Sequence, residues 1–320
     1  MHLQEAVNQF LAGYFSTHAR SPRTIAAYSS DLDQFAAHVE PVRPLHSIGP
    51  VDAESWASDL KSLGLAPASI RRKLAVLKVF FNYWVRRGEL ERSPLWLVRF
   101  DIGKVKPLTR TLTVREMSSL LHQARARAEP IPQRLLPEID KRFLALRNWA
   151  IVELLFATGI RVGEATSILL GDLILDQRTI LIRGKGGRQR LALLTEKTSY
   201  RAITAYHRQR VAQSASTEAL FLNRRRNPLS TQGVAGMLSA LCRETGITRR
   251  VTPHMLRHTA ATFLLHNGAD LRIVQEFLGH ASITTTQRYT HVSPSHLKAA
   301  LLRFHPRTGL CAWKKSEANP

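Results

Sequence analysis

Along the first hundred residues, apolar side chains recur every three to four positions, the period of helices that bury one face. Ile25, Tyr28, Leu32, Phe35 and Val39 form one such run, opened by Ser21-Pro22, a capping residue followed by proline at the first helical position. A second run carries Trp56, Leu60 and Leu63 and stops at Gly64. A third carries Ile70, Leu74, Leu77, Phe81 and Trp84 and stops at Gly88. The pattern predicts a small helical bundle over residues 1–100. Between 93 and 112 the period is broken by Pro94, Gly103 and Pro107, and 101–112 reads as a basic linker carrying Lys104, Lys106 and Arg110.

Thr113 and Glu116 form a capping-box signature that restarts helix. The proline-rich stretch from Ala128 to Pro137 reads as a loop, and a long helix is expected from about Glu138 to near Gly159, then a short one from Arg161 to Leu169. There the period switches to alternation. Leu173–Leu175, Thr179–Arg183 and Leu191–Leu194 predict three short strands, the last two joined by a Gly184-Lys185-Gly186-Gly187 hairpin turn. Helix starts follow at Thr252-Pro253, Asp270, Ser282 and Ser293-Pro294. The expected fold class is mainly α with a small antiparallel β-sheet (α+β): a helical domain over 1–100, a second domain over 113–304 and a tail over 305–320.

Composition narrows the function. With 44% hydrophobic and 22% charged residues, the 320-residue chain is that of an ordinary globular protein. The most apolar stretch, Trp149 to Thr158, is short and interrupted by Glu153, so no membrane span is expected. The amino terminus shows no signal-peptide pattern, which points to the cytoplasm. Cys242 and Cys311 sit at no metal-ligand spacing; Cys242 falls in an apolar helical pattern and reads as core.

Charge is more telling. The net charge is +22, with 12 basic and 9 acidic side chains in the first hundred residues and 34 and 15 in the rest. Basic residues dispersed through a core-forming sequence point to nucleic acid rather than to a disordered tail. On the third helix of the bundle, Arg71, Arg72, Lys73 and Lys78 form a basic face. Such a face is commonly just solvated; in a protein that holds DNA, phosphate contact is the better reading. Lys104 and Lys106 of the linker are read the same way.

Metal-free strand breakage needs a nucleophile, cations for the phosphoryl oxygens and an acid for the leaving oxygen. His254-Met255-Leu256-Arg257-His258 opens a helix after Thr252-Pro253, so His254 and Arg257 project from one face of its first turn, where an anion is welcome. Taken alone this reads equally well as a capping histidine and a solvated arginine. Arg161 lies between Gly159 and Gly163 at a helix break, with Glu164 one turn on to brace it. Lys185 stands at a turn tip, where a lysine is more often plain surface. Leu278-Gly279-His280 closes one helix, and Tyr289 follows in Thr284-Thr285-Thr286-Gln287-Arg288-Tyr289-Thr290-His291.

In their order, these segments resemble the signatures of the tyrosine recombinase (phage integrase) family, which includes the Xer proteins. Ala157 to Glu164, Gly184 to Gly187, His254 to His258, Leu278 to His280 and Tyr289 to His291 carry the likeness. The first domain, with Ser21-Pro22-Arg23-Thr24-Ile25 through Tyr28 and Phe81 through Trp84 to Gly88, is similar to the family's core-site DNA-binding domain. The resemblance implies that Arg161 and Arg257 bind the scissile phosphate and that Lys185 is the general acid toward the leaving 5′ hydroxyl. It implies that His254 assists proton transfer, His280 hydrogen-bonds the phosphate and Tyr289 attacks to form a 3′-phosphotyrosyl bond, with neither ATP nor metal. His258 and His291 are assigned to packing or local hydrogen bonding. Double-stranded DNA sites, a homotetramer on two sites, a Holliday junction and an accessory or second recombinase subunit are the implied partners and intermediate. The segment from Pro294 to Phe304, with Leu297, Leu301 and Leu302 on one face, either passes to a neighbouring subunit or folds back on its own domain.

Arg125 to Arg142 is longer than the matching loop of Xer-like members, and the tail after Phe304 reads as a disordered addition. The chain shows neither a preceding arm-site DNA-binding domain nor the helical insertion of integron integrases. Both a chromosomal and a transposon-borne recombinase fit, with slight preference for the latter. The rivals are a type IB topoisomerase and a non-catalytic architectural relative.

Overall fold

The computed structural model describes residues 1–18, 22–96, 98, 100–102, 111–129, 139–184, 187, 189–213, 215–279, 294–307 and 310. The chain divides into two compact units, Met1–Pro107 and Leu108–Pro320.

In the first unit, α1 (Leu3–Thr17), α2 (Pro22–Val39), α3 (Pro50–Ser62) and α4 (Pro67–Arg86) close around one apolar core. Helix α4 touches the other three because its buried stripe is wide. Phe80 and Phe81 are both fully buried, one edge-on to Phe10 of α1 and the other to Phe35 of α2. The predicted apolar positions of α4 are all buried. Leu63 is not: it lies one residue beyond α3 and is 73% exposed, because the helix ends before its side chain can turn inward. Lys73 is a second departure. It is 6% exposed, and its ammonium donates to Asp31 (2.8 Å) and Gln34 (2.7 Å) of α2. It therefore staples the bundle instead of lying on a free basic face. Arg72 donates with both terminal nitrogens to the same Asp31. Arg71 and Lys78 are exposed, while Lys104 and Lys106 lie outside the described residues.

The second unit is built on α6 (Ile139–Thr158), whose residues from Trp149 to Thr158 are buried on every side. An all-round apolar helix belongs at the centre. It packs against α5 (Val114–Ala128), α7 (Val162–Thr166), α8 (Lys197–Val211), α9 (Thr231–Glu244) and α10 (Pro253–His266). Among the described residues no helix is long and apolar enough to cross a membrane. The Thr113–Glu116 capping box is present in both directions, at 3.1 and 2.7 Å. Cys242 is core, its thiol pushed up to about 11 chiefly by burial.

Strands β1 (Leu173–Ile174), β2 (Thr179–Arg183) and β3 (Gln189–Leu193) form an antiparallel sheet in that order. Ile180 lies opposite Ala192 and Ile182 opposite Arg190, so Ile180, Ile182, Arg190 and Ala192 share the inward face.

Helix α11 (Leu271–Leu278) precedes the undescribed stretch 280–293, and α12 (Pro294–Phe304) follows it. α12 packs against α11 of its own chain, with Ala300 and Leu301 buried; Leu302 points away and is 58% exposed. The expectation of a loose tail is corrected as far as Arg307. Asn267 donates to the carbonyls of Phe304 and His305, and the imidazole of His305 lies 3.2 Å from the carbonyl of Ala157. Arg307 bonds both oxygens of the fully buried Glu153 at 2.7 Å. A buried carboxylate at the centre of α6 demands a cation, and the tail supplies it.

Candidate active site

Four side chains from three segments distant in sequence converge where α6 ends. Gly159 stops that helix in the left-handed region (φ +57), and a Cβ there would lie 2.5 Å from the ring of Phe277, so only glycine fits. Arg161 then occupies the N-cap position of α7. Glu164, in the first turn of α7, accepts from the Arg161 backbone N–H (2.8 Å) and from its guanidinium (3.0 Å). The bracing expected from their spacing is present, with the Arg161 side chain 46% exposed.

Arg257 enters from the first turn of α10, which Thr252 caps and Pro253 begins. It is 8% exposed. Its guanidinium donates to the carbonyl of Gly159 and, at 2.7 Å, to that of Leu278 at the end of α11. Burial, then the neighbouring charge of Arg161, pushes its pKa down to about 10; Glu164 opposes this and Arg190 adds to it. The two arginines singled out by sequence are thus brought within electrostatic reach of each other.

The sequence pattern passed over Arg190. It points inward from β3 and donates to both oxygens of Glu164, at 3.1 and 2.9 Å. Burial alone raises the pKa of Glu164, but the bonds from Arg190 and then from the Arg161 backbone prevail and hold it below the ordinary carboxylate value. A signal was available: Arg190 shares strand parity with the buried Ala192 and Leu194, and a cation on a buried face requires a partner.

His254 sits on the first turn of α10 and is exposed, three residues before the buried Arg257. His258, assigned to packing or local hydrogen bonding, is exposed as well, which corrects the packing half of that assignment; its carbonyl accepts from Thr262. Lys185, His280, Tyr289 and His291 lie outside the described residues. The elements that flank them are described: the Arg183–Gln189 pair ends the ladder on either side of the segment with Lys185, and Gly279 and α12 bracket the stretch with His280 and Tyr289. Among the described residues no cluster of His, Cys, Asp and Glu is arranged to hold a metal.

Three guanidiniums against one carboxylate leave a net positive pocket, with Arg161 reaching solvent and Arg257 buried. Such a pocket suits an anion with several oxygens, since a guanidinium offers paired donors in a plane.

The chain matches the model of the phage integrase family over residues 110–296 and that of the phage integrase N-terminal SAM-like domain over 7–88. It is 33% identical over 305 residues to tyrosine recombinase XerC of Listeria monocytogenes, covering 93% of this chain and 97% of that protein. It is 35% identical over 308 residues to tyrosine recombinase XerD of Halalkalibacterium halodurans, with coverage of 94% and 97%. Among solved structures, the Tn1549 transposon integrase (residues 82–397) in complex with circular intermediate DNA shares the fold, with a TM-score of 0.71 at 19% identity over 94% of this chain and 99% of that one.

Proposed function

The chain belongs to the phage integrase family, as an Xer-like tyrosine recombinase and thus an enzyme of site-specific recombination, and on that premise we propose that Tyr289 cleaves and rejoins double-stranded DNA within a cationic pocket formed by Arg161 and Arg257. The observation that carries this reading is the convergence of those two arginines at the end of α6, where one carboxylate faces three guanidiniums.

The phenol oxygen of Tyr289 attacks phosphorus, the P–O5′ bond breaks, and the 5′ oxygen leaves with a proton from Lys185. The two arginines hold the charge that develops on the non-bridging oxygens, His280 adds a hydrogen bond there, and His254 assists proton transfer at the nucleophile. An ordinary tyrosine, with a pKa near 10, attacks poorly; adjacent guanidiniums favour its phenolate. The phosphotyrosyl ester keeps the energy of the broken bond, so attack by a second 5′ hydroxyl reverses the step. Two such exchanges through a Holliday junction, by four subunits on two sites, complete recombination, for integration and excision of a mobile element or resolution of joined replicons. Arg71 and Lys78 of α4, with Lys104 and Lys106, bind backbone phosphates.

The test uses nicked duplex fragments from the gene's own neighbourhood, without metal or ATP. A covalent protein–DNA band that disappears in Tyr289→Phe, while affinity is retained, is the expected result. Tight binding with no band on any nicked site overturns the reading in favour of a non-catalytic relative. A band without pairing of two sites favours a topoisomerase.

A further inference from the structure

We infer that Arg190 is a positioning residue of this strand-cleavage pocket: it occupies the carboxylate of Glu164 so that Arg161 stays available to phosphate, and it supports the turn at Gly279 that holds Arg257. The inference rests on the reading of Arg161 and Arg257 as phosphate ligands.

Each oxygen of Glu164 accepts one bond from Arg161 and one from Arg190: Oε1 at 3.0 and 3.1 Å, Oε2 at 2.8 and 2.9 Å. The Glu164 side chain is only 7% exposed. Without Arg190, the guanidinium of Arg161 would be the sole cation bonded to a desolvated carboxylate. Attraction in a low dielectric would then pull Arg161 inward and spend its charge on Glu164 instead of on the ligand.

The second contact is with the end of α11. Gly279 has φ +61, and a Cβ on it would lie 2.6 Å from Nε, 2.7 Å from Cζ and 2.9 Å from Cδ of Arg190. The turn therefore rests directly on the Arg190 side chain. The carbonyl of Leu278, one residue earlier, accepts from Arg257. One side chain thus touches the brace of Arg161 and the turn that anchors Arg257. Its neighbour Gln189 pairs with Arg183, the two residues that flank the segment bearing Lys185. A role confined to folding would need only the ion pair.

The full chain is compared with Arg190→Met, Arg190→Lys and Arg190→Met/Glu164→Gln, reading single-turnover formation of the covalent band, DNA affinity and melting temperature. Arg190→Met is expected to cleave about 100-fold more slowly, the scale of a displacement of about 1 Å in the reacting groups, with affinity within about threefold. Adding Glu164→Gln is expected to recover about tenfold, because a neutral amide no longer captures Arg161. A wild-type rate in Arg190→Met overturns the inference, as does a double variant no faster than the single one at equal melting temperature. If Arg190→Met does not fold, Arg190→Lys decides: it keeps the charge but cannot span both oxygens, and full activity in it is equally fatal. Absence of a band in the wild type is a different result, for it removes the underlying reading and this inference together.

Discussion

Asp31 in the first unit and Glu164 in the second are both buried carboxylates, and each bonds two basic side chains. Around Asp31 the cations are Arg72 and Lys73, and Lys73 spends another donor on Gln34. These bonds run between α2 and α4 and hold the bundle together. Around Glu164 a third cation, Arg257, is buried against carbonyl oxygens. Carbonyls satisfy its donors without cancelling its charge. A count of bonded partners does not separate the two clusters; what separates them is the amount of uncompensated charge, one unit around Asp31 against two around Glu164, where an anionic ligand can meet it.

The contrast can be broken in several ways. The largest effect is expected for Arg257→Gln, which should slow covalent-band formation about 10²–10³-fold, the usual cost of one transition-state donor, with folding intact. An equal loss of stability and activity would make Arg257 a structural residue like Lys73. The carboxyl-terminal tail offers a cluster of the opposite balance, in which one cation, Arg307, pairs with two carboxylates, Glu153 and Glu196, and burial pushes the neighbouring His305 down to about 4. The unfolded chain takes up the His305 proton first. Its contribution, on the order of 3 kcal/mol, is therefore fully present above about pH 6.5 and lost as pH falls toward 4. Urea unfolding across that range should show a shallower slope in His305→Gln, and an unchanged slope would mean the histidine is not held neutral by the fold.

Smaller effects sharpen the first-unit side. Lys73→Met should cost about 2 kcal/mol in urea unfolding, below the ~3–5 kcal/mol of an orphaned buried charge because Arg72 remains. Its DNA affinity should be unchanged; a reduced salt dependence would restore Lys73 as a phosphate contact. Lys78→Ala, on the exposed side of the same helix, should lower the salt-dependence slope by about 1 with stability within about 0.5 kcal/mol, and an unaltered slope would remove it from the DNA face.

Periodicity made most of this architecture legible. The turn at Gly88, the capping box at Thr113 and the three short strands lie where local chemistry puts them, because caps, left-handed glycines and alternation act over a few residues. The ordered motifs likewise pointed to the family, and the bracing of Arg161 by Glu164 was readable because they stand one helical turn apart. Lys73 misled because it directly follows two arginines on an evidently basic helix; only the position of Asp31, 42 residues earlier, shows which way it points. Arg307 misled because nothing local distinguishes a tail arginine from one that crosses to Glu153.

By itself, then, the sequence determined the fold class, the cationic character of the chain, the family and the residues offered for chemistry. The first two follow from composition and period; the family and its chemistry follow from the resemblance of the ordered motifs to the family's signatures. Tertiary structure alone decided which cations are consumed by buried carboxylates and which remain for a ligand. It joined Arg190 to Glu164 across 26 residues and Arg307 to Glu153 across 154. A charge inside a protein acquires its value from what solvates it, and that is settled only when distant segments meet.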